Sequence, residues 1–161
     1  MATAISEQIA LKLKQRLQAI DEDSGYETTV AGNVVRPPKL WDGRPKDYQL
    51  IVVQGEHERN EALSYPGNPP AICWNVPFII TGEVRPSDES TVALDTFANE
   101  FASDVIKSIC SPAHWYQWDG LAIDSAIQSV EVFNTDQMSG CKVNLMVMYR
   151  VSETNPYELR P

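Results

Sequence analysis

The chain has two histidines, His57 and His114, so a histidine-based catalytic triad or metal site must use one of them. His57 lies among Glu56, Glu58 and Glu61, whose side chains could coordinate a cation. Neighbouring residues point apart, however, and no second histidine or cysteine stands at ligand spacing, which favours a solvated charged loop. His114 has no nearby residue in a recognisable nucleophile setting. We therefore predict no catalytic residue, no metal ligand, no cofactor and no enzyme activity.

The cysteines, Cys73, Cys110 and Cys141, are odd in number and widely spaced. Each falls within a predicted strand or at a helix end, which favours buried free thiols over a disulfide framework. The sequence also lacks a glycine-rich phosphate loop, a dinucleotide-binding fingerprint and a paired-carboxylate motif of specific spacing.

The composition of the 161-residue chain, 43% hydrophobic and 22% charged, is typical of a globular protein. We predict one α+β domain over residues 1–153 and a C-terminal arm over 154–161. No apolar run approaches the roughly 20 residues that cross a bilayer, and the N-terminus lacks a signal peptide's apolar block. We therefore expect a cytoplasmic protein without a membrane partner. The formal charge of −9 disfavours a surface that grips phosphates, but it suits a protein that lets DNA pass.

We expect a central strand and the helix after it to position these candidate residues. From residue 71 to 85 the apolar residues alternate with polar ones, which predicts a strand with one face in the core. Pro77 removes one ladder donor, so we expect an edge or a bulge there. Unbent, this strand would span roughly 50 Å, so part of it is expected to project towards a neighbour. A helix capped by Ser87 or Asp88 then runs to Cys110 and is about 34 Å long.

The other elements are predicted from shorter patterns. Thr3 is expected to cap a first helix with its apolar stripe from Ile5 to Ile20. Residues 26–36 are predicted to form two short strand pieces, and 48–54 a central strand covered on both faces. Val130, Val132 and Phe133 predict a strand over 126–134, and an alternating pattern over 141–151 predicts a second closing strand.

Several stretches are candidates for contact with another protein. The polar stretch 55–70 is long for a loop inside a domain and is the first candidate. Residues 37–46 are rich in proline and are predicted to form a loop that cannot join a sheet ladder. Some apolar side chains fall on the outer face of the long strands, and self-association is the simplest way to cover them. The aromatic cluster at 115–118 favours packing or a subunit interface over sugar or base stacking. The candidate interface residues are Trp41, Glu56, His57, Arg59, Tyr65, Ile79, Trp115, Trp118, Met146, Met148 and Tyr157.

Taken in order, the predicted elements are a helix, short strands, an apolar strand, an acidic loop, a long strand, a long helix and a closing hairpin. This order resembles the tail-terminator and tail-completion proteins of long-tailed bacteriophages. The segments that carry the likeness are 25–30, Gly-Tyr-Glu-Thr-Thr-Val, 34–36, Val-Val-Arg, and 50–56, Leu-Ile-Val-Val-Gln-Gly-Glu. The cluster at Trp115–Trp118 and the prolines around Pro69 have no counterpart in the family pattern.

The resemblance implies an α+β subunit with a mainly antiparallel sheet, two helices on one face and long projecting strands or loops. It also implies a homo-oligomer, a six-membered ring that ends the tail tube and joins it to the head connector or stopper protein. DNA would pass through an acidic bore without specific binding. The protein would belong to the tail or neck of the virion, after assembly in the host cytoplasm.

Two other interpretations remain open on the sequence. Another neck or tail protein, such as the stopper or a tube-associated protein, shares the same features. A small enzyme or ligand-binding domain could use His114 and the aromatic loop at 113–120 as its pocket. Substitution of His114 and Trp118 would separate this last possibility from a structural role.

Overall fold

A computed structural model describes residues 2–30, 32–36, 47–86, 89–136 and 138–160. The described residues form an α+β fold with a sheet of six strands and two α-helices. A short 3₁₀ turn follows the first helix, and a second 3₁₀ segment, named here the aromatic turn, follows the second. The elements in order are α1 (Ile5–Gln18), a 3₁₀ turn (Glu22–Ser24), β1 (Val34–Val35), β2 (Tyr48–Gln54), β3 (Glu58–Arg59), β4 (Ala71–Val84), α2 (Leu94–Cys110), the aromatic turn (Trp115–Gly120), β5 (Asp124–Asn134) and β6 (Ser139–Ser152).

The sheet is built around the pair β4 and β6, which are antiparallel over their whole length, from Ala71 opposite Ser152 to Val84 opposite Ser139. The strand order is β1-β2-β4-β6-β5, and β3 also pairs with β4. Among the described strands, only the pair β1 and β2 is parallel. The mainly antiparallel sheet with two helices therefore agrees with the predicted fold class.

The core lies on one face of the sheet, named here the covered face. Alternate residues of β4 and β6 point into it, and partners such as Phe78 and Leu145 are each 1% exposed. Both helices bury their apolar stripes in this same cluster, including Leu13 of α1 and Phe101 of α2. Gly82 makes room for α2, because a Cβ there would lie 2.6 Å from Cε1 of Phe101. The predicted stripe from Ile5 to Ile20 is confirmed as the buried side of α1 and the turn after it.

Both helix starts differ from the prediction. The N-cap of α1 is Ala4, without a side-chain cap, and Thr3 instead accepts a hydrogen bond at its carbonyl from Gln8. The N-cap of α2 is Ala93, so this helix begins later than predicted and spans about 26 Å. Ser87 and Asp88 lie outside the described residues. Residues 89–93 carry no helical pattern of apolar residues, which explains the later start.

The prediction of two strand pieces over residues 26–36 is wrong. Only β1 forms, and it runs parallel to β2. The preceding segment is held by side-chain hydrogen bonds instead, since the backbone N–H and hydroxyl of Thr28 both donate to Asp104 of α2, at 2.8 and 2.7 Å. Both residues are buried, so this contact takes the place of a strand ladder.

The environment of Pro77 also differs from the predicted edge or bulge, because β4 is an interior strand in regular register. The carbonyl of Pro77 accepts a hydrogen bond from Gly55 N at 2.7 Å, where the chain passes from β2 to β3. The nitrogen of Pro77, which has no hydrogen to donate, thus faces the break between β2 and β3. Gly55 allows this approach, since a Cβ there would lie 2.7 Å from Pro77 Cγ.

Three further segments complete the comparison with the sequence. Strand β2 lies between β1 and β4, but Val53 is 38% exposed, so the prediction that both of its faces are covered is wrong. The stretch 55–70 is more ordered than a loop, because it contains β3 and a bridge from Tyr65 to Ala71. After β6 the chain turns back, and Arg160 N donates to the carbonyl of Arg150. The predicted loop 37–46 lies outside the described residues.

Candidate assembly surface

The second face of the sheet, named here the open face, carries the side chains that alternate with the core. Among the described residues neither helix packs on it, because the buried residues of both helices belong to the cluster on the covered face. Except for Val53, which is exposed, its central residues are half-buried, and most of them are apolar, which is unusual for a surface in full contact with water. They are Val53, Asn75, Pro77, Ile79, Thr81, Asn144, Met146 and Met148.

Three of the predicted interface residues, Ile79, Met146 and Met148, lie on this face. Ile79 lies opposite Val53 on β2 and opposite Asn144 on β6. Met146 lies opposite Pro77 on one side and Ala126 of β5 on the other. Since cross-strand partners point to the same face, these residues form an apolar strip across four strands.

Carboxylates border the strip at one end. Met148 lies opposite Asn75 and Asp124, and Asn75 lies opposite Glu58 of β3. These residues, with Met146, border a shallow depression of about 360 Å³. The open face is therefore an apolar strip with an acidic margin.

The candidate residues of the stretch 55–70 lie in different environments. Glu56 and Arg59 are exposed, and Arg59 forms an ion pair with Glu61 at 3.0 Å. Tyr65 is 41% exposed, and its ring centroid lies 5.1 Å from the guanidinium of Arg150. Tyr65 thus packs beside the end of the sheet and does not join the apolar strip.

His57 lies on the side of the sheet that carries the helices. Its ring centroid lies 6.1 Å from that of Trp74 and 6.2 Å from that of Tyr149, both edge to face. Nε2 of the histidine lies 3.3 Å from the side-chain nitrogen of Gln54. Burial lowers the pKa of His57, since it disfavours the charged imidazolium. This residue belongs to the margin of the core, apart from the open face.

The aromatic turn is fixed against α1. Trp118 is fully buried, its indole N–H donates to Ser125 Oγ at 2.8 Å, and the guanidinium of Arg16 lies 4.0 Å from its ring centroid. Arg16 also donates to the carbonyls of Ile109 and Trp115, at 3.1 and 3.2 Å. Packing thus accounts for Trp118, which offers no exposed ring to a ligand, while Trp115 is half-buried beside it.

Three candidate residues remain, Tyr157, Trp41 and His114. Tyr157 is 51% exposed, in the segment that turns back along β6. Trp41 lies outside the described residues. His114 is exposed, has a left-handed backbone with φ of 54°, and lies 3.2 Å from the hydroxyl of Tyr116. Neither Tyr157 nor His114 is part of the apolar strip.

The three cysteines are free thiols, and Cys73 and Cys141 are buried. Burial raises the pKa of all three, to about 12 for Cys141. Within the described ranges no group of three or more histidine, cysteine, aspartate or glutamate side chains could hold a metal ion. No described helix is long and apolar enough to span a membrane.

Sequence reasoning identified β5 as a strand but missed its position at the edge of the sheet. Val130 and Val132 on this strand are 43% and 44% exposed. The strand was predicted from Val130, Val132 and Phe133, and such apolar residues do not distinguish an edge strand from an inner one.

Comparison with protein-family models finds no match, and comparison with curated proteins finds none either.

Proposed function

We propose that this chain is a structural subunit of the tail of a long-tailed bacteriophage. Six copies form a ring that ends the tail tube and joins it to the head connector, and DNA passes through the ring. The sequence resemblance supplies the phage class. The observation that carries the structural role is the apolar strip of Val53, Pro77, Ile79 and Met146, which no described element covers.

Several properties of the chain support a building block. The half-buried Ile79 and Met146 and the exposed Val53 are stabilised when another surface removes them from water. The formal charge of −9 suits a bore, because like charge keeps the DNA backbone from adhering to the wall. Ring closure requires that one surface of each subunit bind a different surface of the next.

Native mass spectrometry of the purified chain tests the ring directly. We expect a species of six times the 18.0 kDa chain mass at high protein concentration, and negative-stain images with a six-fold ring and a central hole. The ring should not bind double-stranded DNA, so the DNA should migrate in a gel as it does without the protein. A chain that is strictly monomeric at high concentration would contradict the proposal.

Labelling of particles locates the protein in the virion. Antibodies against the chain should bind at the junction of head and tail in phage particles that contain it. Labelling along the whole tube, or at the distal tip, would contradict a terminator and favour another tail protein.

A further inference from the structure

The depression at one end of the apolar strip has an apolar floor between two carboxylates. The register places Glu58, Asn75, Met148 and Asp124 side by side across β3, β4, β6 and β5. Because adjacent strands lie about 4.8 Å apart, the Cα atoms of Glu58 and Asp124 are separated by about 14 Å. Met146 also lines this depression of about 360 Å³. A long side chain from another molecule could therefore lie on the methionines with a carboxylate on each side.

Neither carboxylate has a cationic partner among the described residues. Glu58 is exposed, and Asp124 uses one oxygen, Oδ1, to accept a hydrogen bond from the backbone N–H of Ser125 at 2.8 Å. The ion pairs that the structure describes join other residues, namely Lys12 with Asp119, Arg36 with Glu7, Arg59 with Glu61 and Arg160 with Glu158. The two carboxylates can thus accept hydrogen bonds from a cation that another molecule supplies.

The basic residue at this end of the open face is directed elsewhere. Arg150 follows Met148 by two positions on β6 and shares its face. Its Nε donates to the carbonyl of Leu63 at 3.0 Å, and its guanidinium lies 5.1 Å from the ring centroid of Tyr65. Arg150 is therefore held by the stretch 55–70 and does not line the depression with Glu58 and Asp124.

An apolar floor between carboxylates is complementary to a lysine or arginine side chain. Such a side chain has an apolar stem, which can pack on Met146 and Met148, and a cationic head that donates hydrogen bonds. Arginine fits best, because its guanidinium is less strongly hydrated than an ammonium and offers donors in several directions. Apolar residues beside it in the same segment would cover Ile79 and Val53 of the strip.

The charge of the face indicates that this segment belongs to a different protein. Acidic residues outnumber basic ones on the described strands of the open face, with Glu58, Glu83, Asp124 and Glu131 against Lys142 and Arg150. A second copy of the chain, with its formal charge of −9, would be repelled at long range, as DNA would be. A basic protein would be attracted, and its approach would bring opposite charges together.

We propose that the open face docks a basic segment of a different protein, with an arginine or lysine side chain in the depression and apolar side chains on the strip. The inference rests on the proposed function, because it names the chemistry of the neighbour to which the ring is joined. The contacts between copies then belong to other surfaces of the subunit.

NMR of the methionine methyl groups is the first test. The probes are two synthetic peptides of alternating residues, acetyl-Leu-Arg-Leu-Arg-Leu-amide and its counterpart with glutamate in place of arginine. With the intact chain at a dilution where it is monomeric, the arginine peptide should shift the methyl signals of Met146 and Met148 with a dissociation constant of about 1 mM or lower. The signal of Met138, in the turn before β6, should not move. No shift, or equal shifts with the glutamate peptide, would overturn the proposal.

Two double variants that remove the same charge are the second test. Glu58→Gln with Asp124→Asn should raise the dissociation constant of the arginine peptide about tenfold, since each exposed ion pair contributes up to about 1 kcal/mol. Glu27→Gln with Asp23→Asn removes two exposed carboxylates from the segment before Thr28 and should leave it unchanged. Thermal unfolding checks that both variants fold. Equal weakening in both would show a general charge effect and would overturn the site.

The oligomeric state separates this inference from the ring. If the signals of Met146 and Met148 shift when the chain alone is concentrated, a second copy covers the open face, which overturns the basic partner and leaves the ring standing. A six-fold ring whose open face does not bind the arginine peptide has the same meaning. Binding of the peptide to a chain that stays monomeric at every concentration would retain the docking site and overturn the ring.

Discussion

The two faces of this sheet are made by the same strands but have different roles. Phe78 and Ile79 are neighbours on β4 and both are large and apolar, yet Phe78 is 1% exposed and Ile79 is half-buried. The difference arises because both helices pack on the covered face. Burial of Phe78 stabilises the monomer, whereas Ile79 stays partly in water in the monomer and would be buried only in the proposed assembly.

Alanine substitutions at these neighbouring positions provide the strongest test of the comparison. Phe78→Ala should lower the free energy of unfolding by about 3–5 kcal/mol, because it leaves a cavity in the core. Ile79→Ala should cost about 1 kcal/mol, because its side chain is already partly in water. Urea denaturation at a concentration where the protein is monomeric measures both. Equal losses would mean that an element of the same chain covers the open face.

Gly82 and Thr81, also neighbours on β4, allow a second comparison of the covered face with the open face. A Cβ at Gly82 would lie 2.6 Å from Phe101 Cε1 and 3.0 Å from Cys141 Sγ, so α2 must shift in Gly82→Ala. We expect a loss of about 1–3 kcal/mol in the free energy of unfolding. Thr81→Ala on the open face should change it by about 0.5 kcal/mol or less. Thermal unfolding followed by circular dichroism is sufficient to rank these variants. A Gly82→Ala variant as stable as the wild type would show that the covered face can rearrange to accept the added methyl group.

The sequence was sufficient to predict the elements whose patterns are long. Residues of β4 and β6 alternate over many positions, and the stripe of α1 recurs every three or four residues, so local periodicity determines both. The same alternation placed Ile79, Met146 and Met148 on one face before any pairing was known. Periodicity also predicted two helices, because their apolar stripes are broad.

Features that depend on distant contacts could not be predicted in this way. Thr28 and Asp104 are far apart in sequence, so their hydrogen bonds, which replace the expected strand, leave no local signal. The burial of Trp118 against Arg16 is of the same kind. The exposure of Val130 depends on which strand ends the sheet, and that is decided by the order of pairing.

His57 at the margin of the covered face gives the smallest expected effect. Burial lowers its pKa in the folded state, whereas the unfolded chain has the ordinary value of 6.5. The folded state therefore binds this proton less readily than the unfolded state does. The contribution of the neutral ring to stability is present above pH 6.5 and is lost as the pH falls below that value towards the folded pKa.

His57→Gln removes this dependence and keeps a side chain that can bond to Gln54. Between about pH 7 and about pH 5 the wild type should lose slightly more stability than the variant, because the exposed carboxylates titrate alike in both. Urea midpoints across this range measure the difference. The opposite sign would mean that the imidazolium is stabilised in the folded state by a nearby carboxylate such as Glu56 or Glu58. His57 would then belong to the charged surface and would no longer mark the boundary of the covered face.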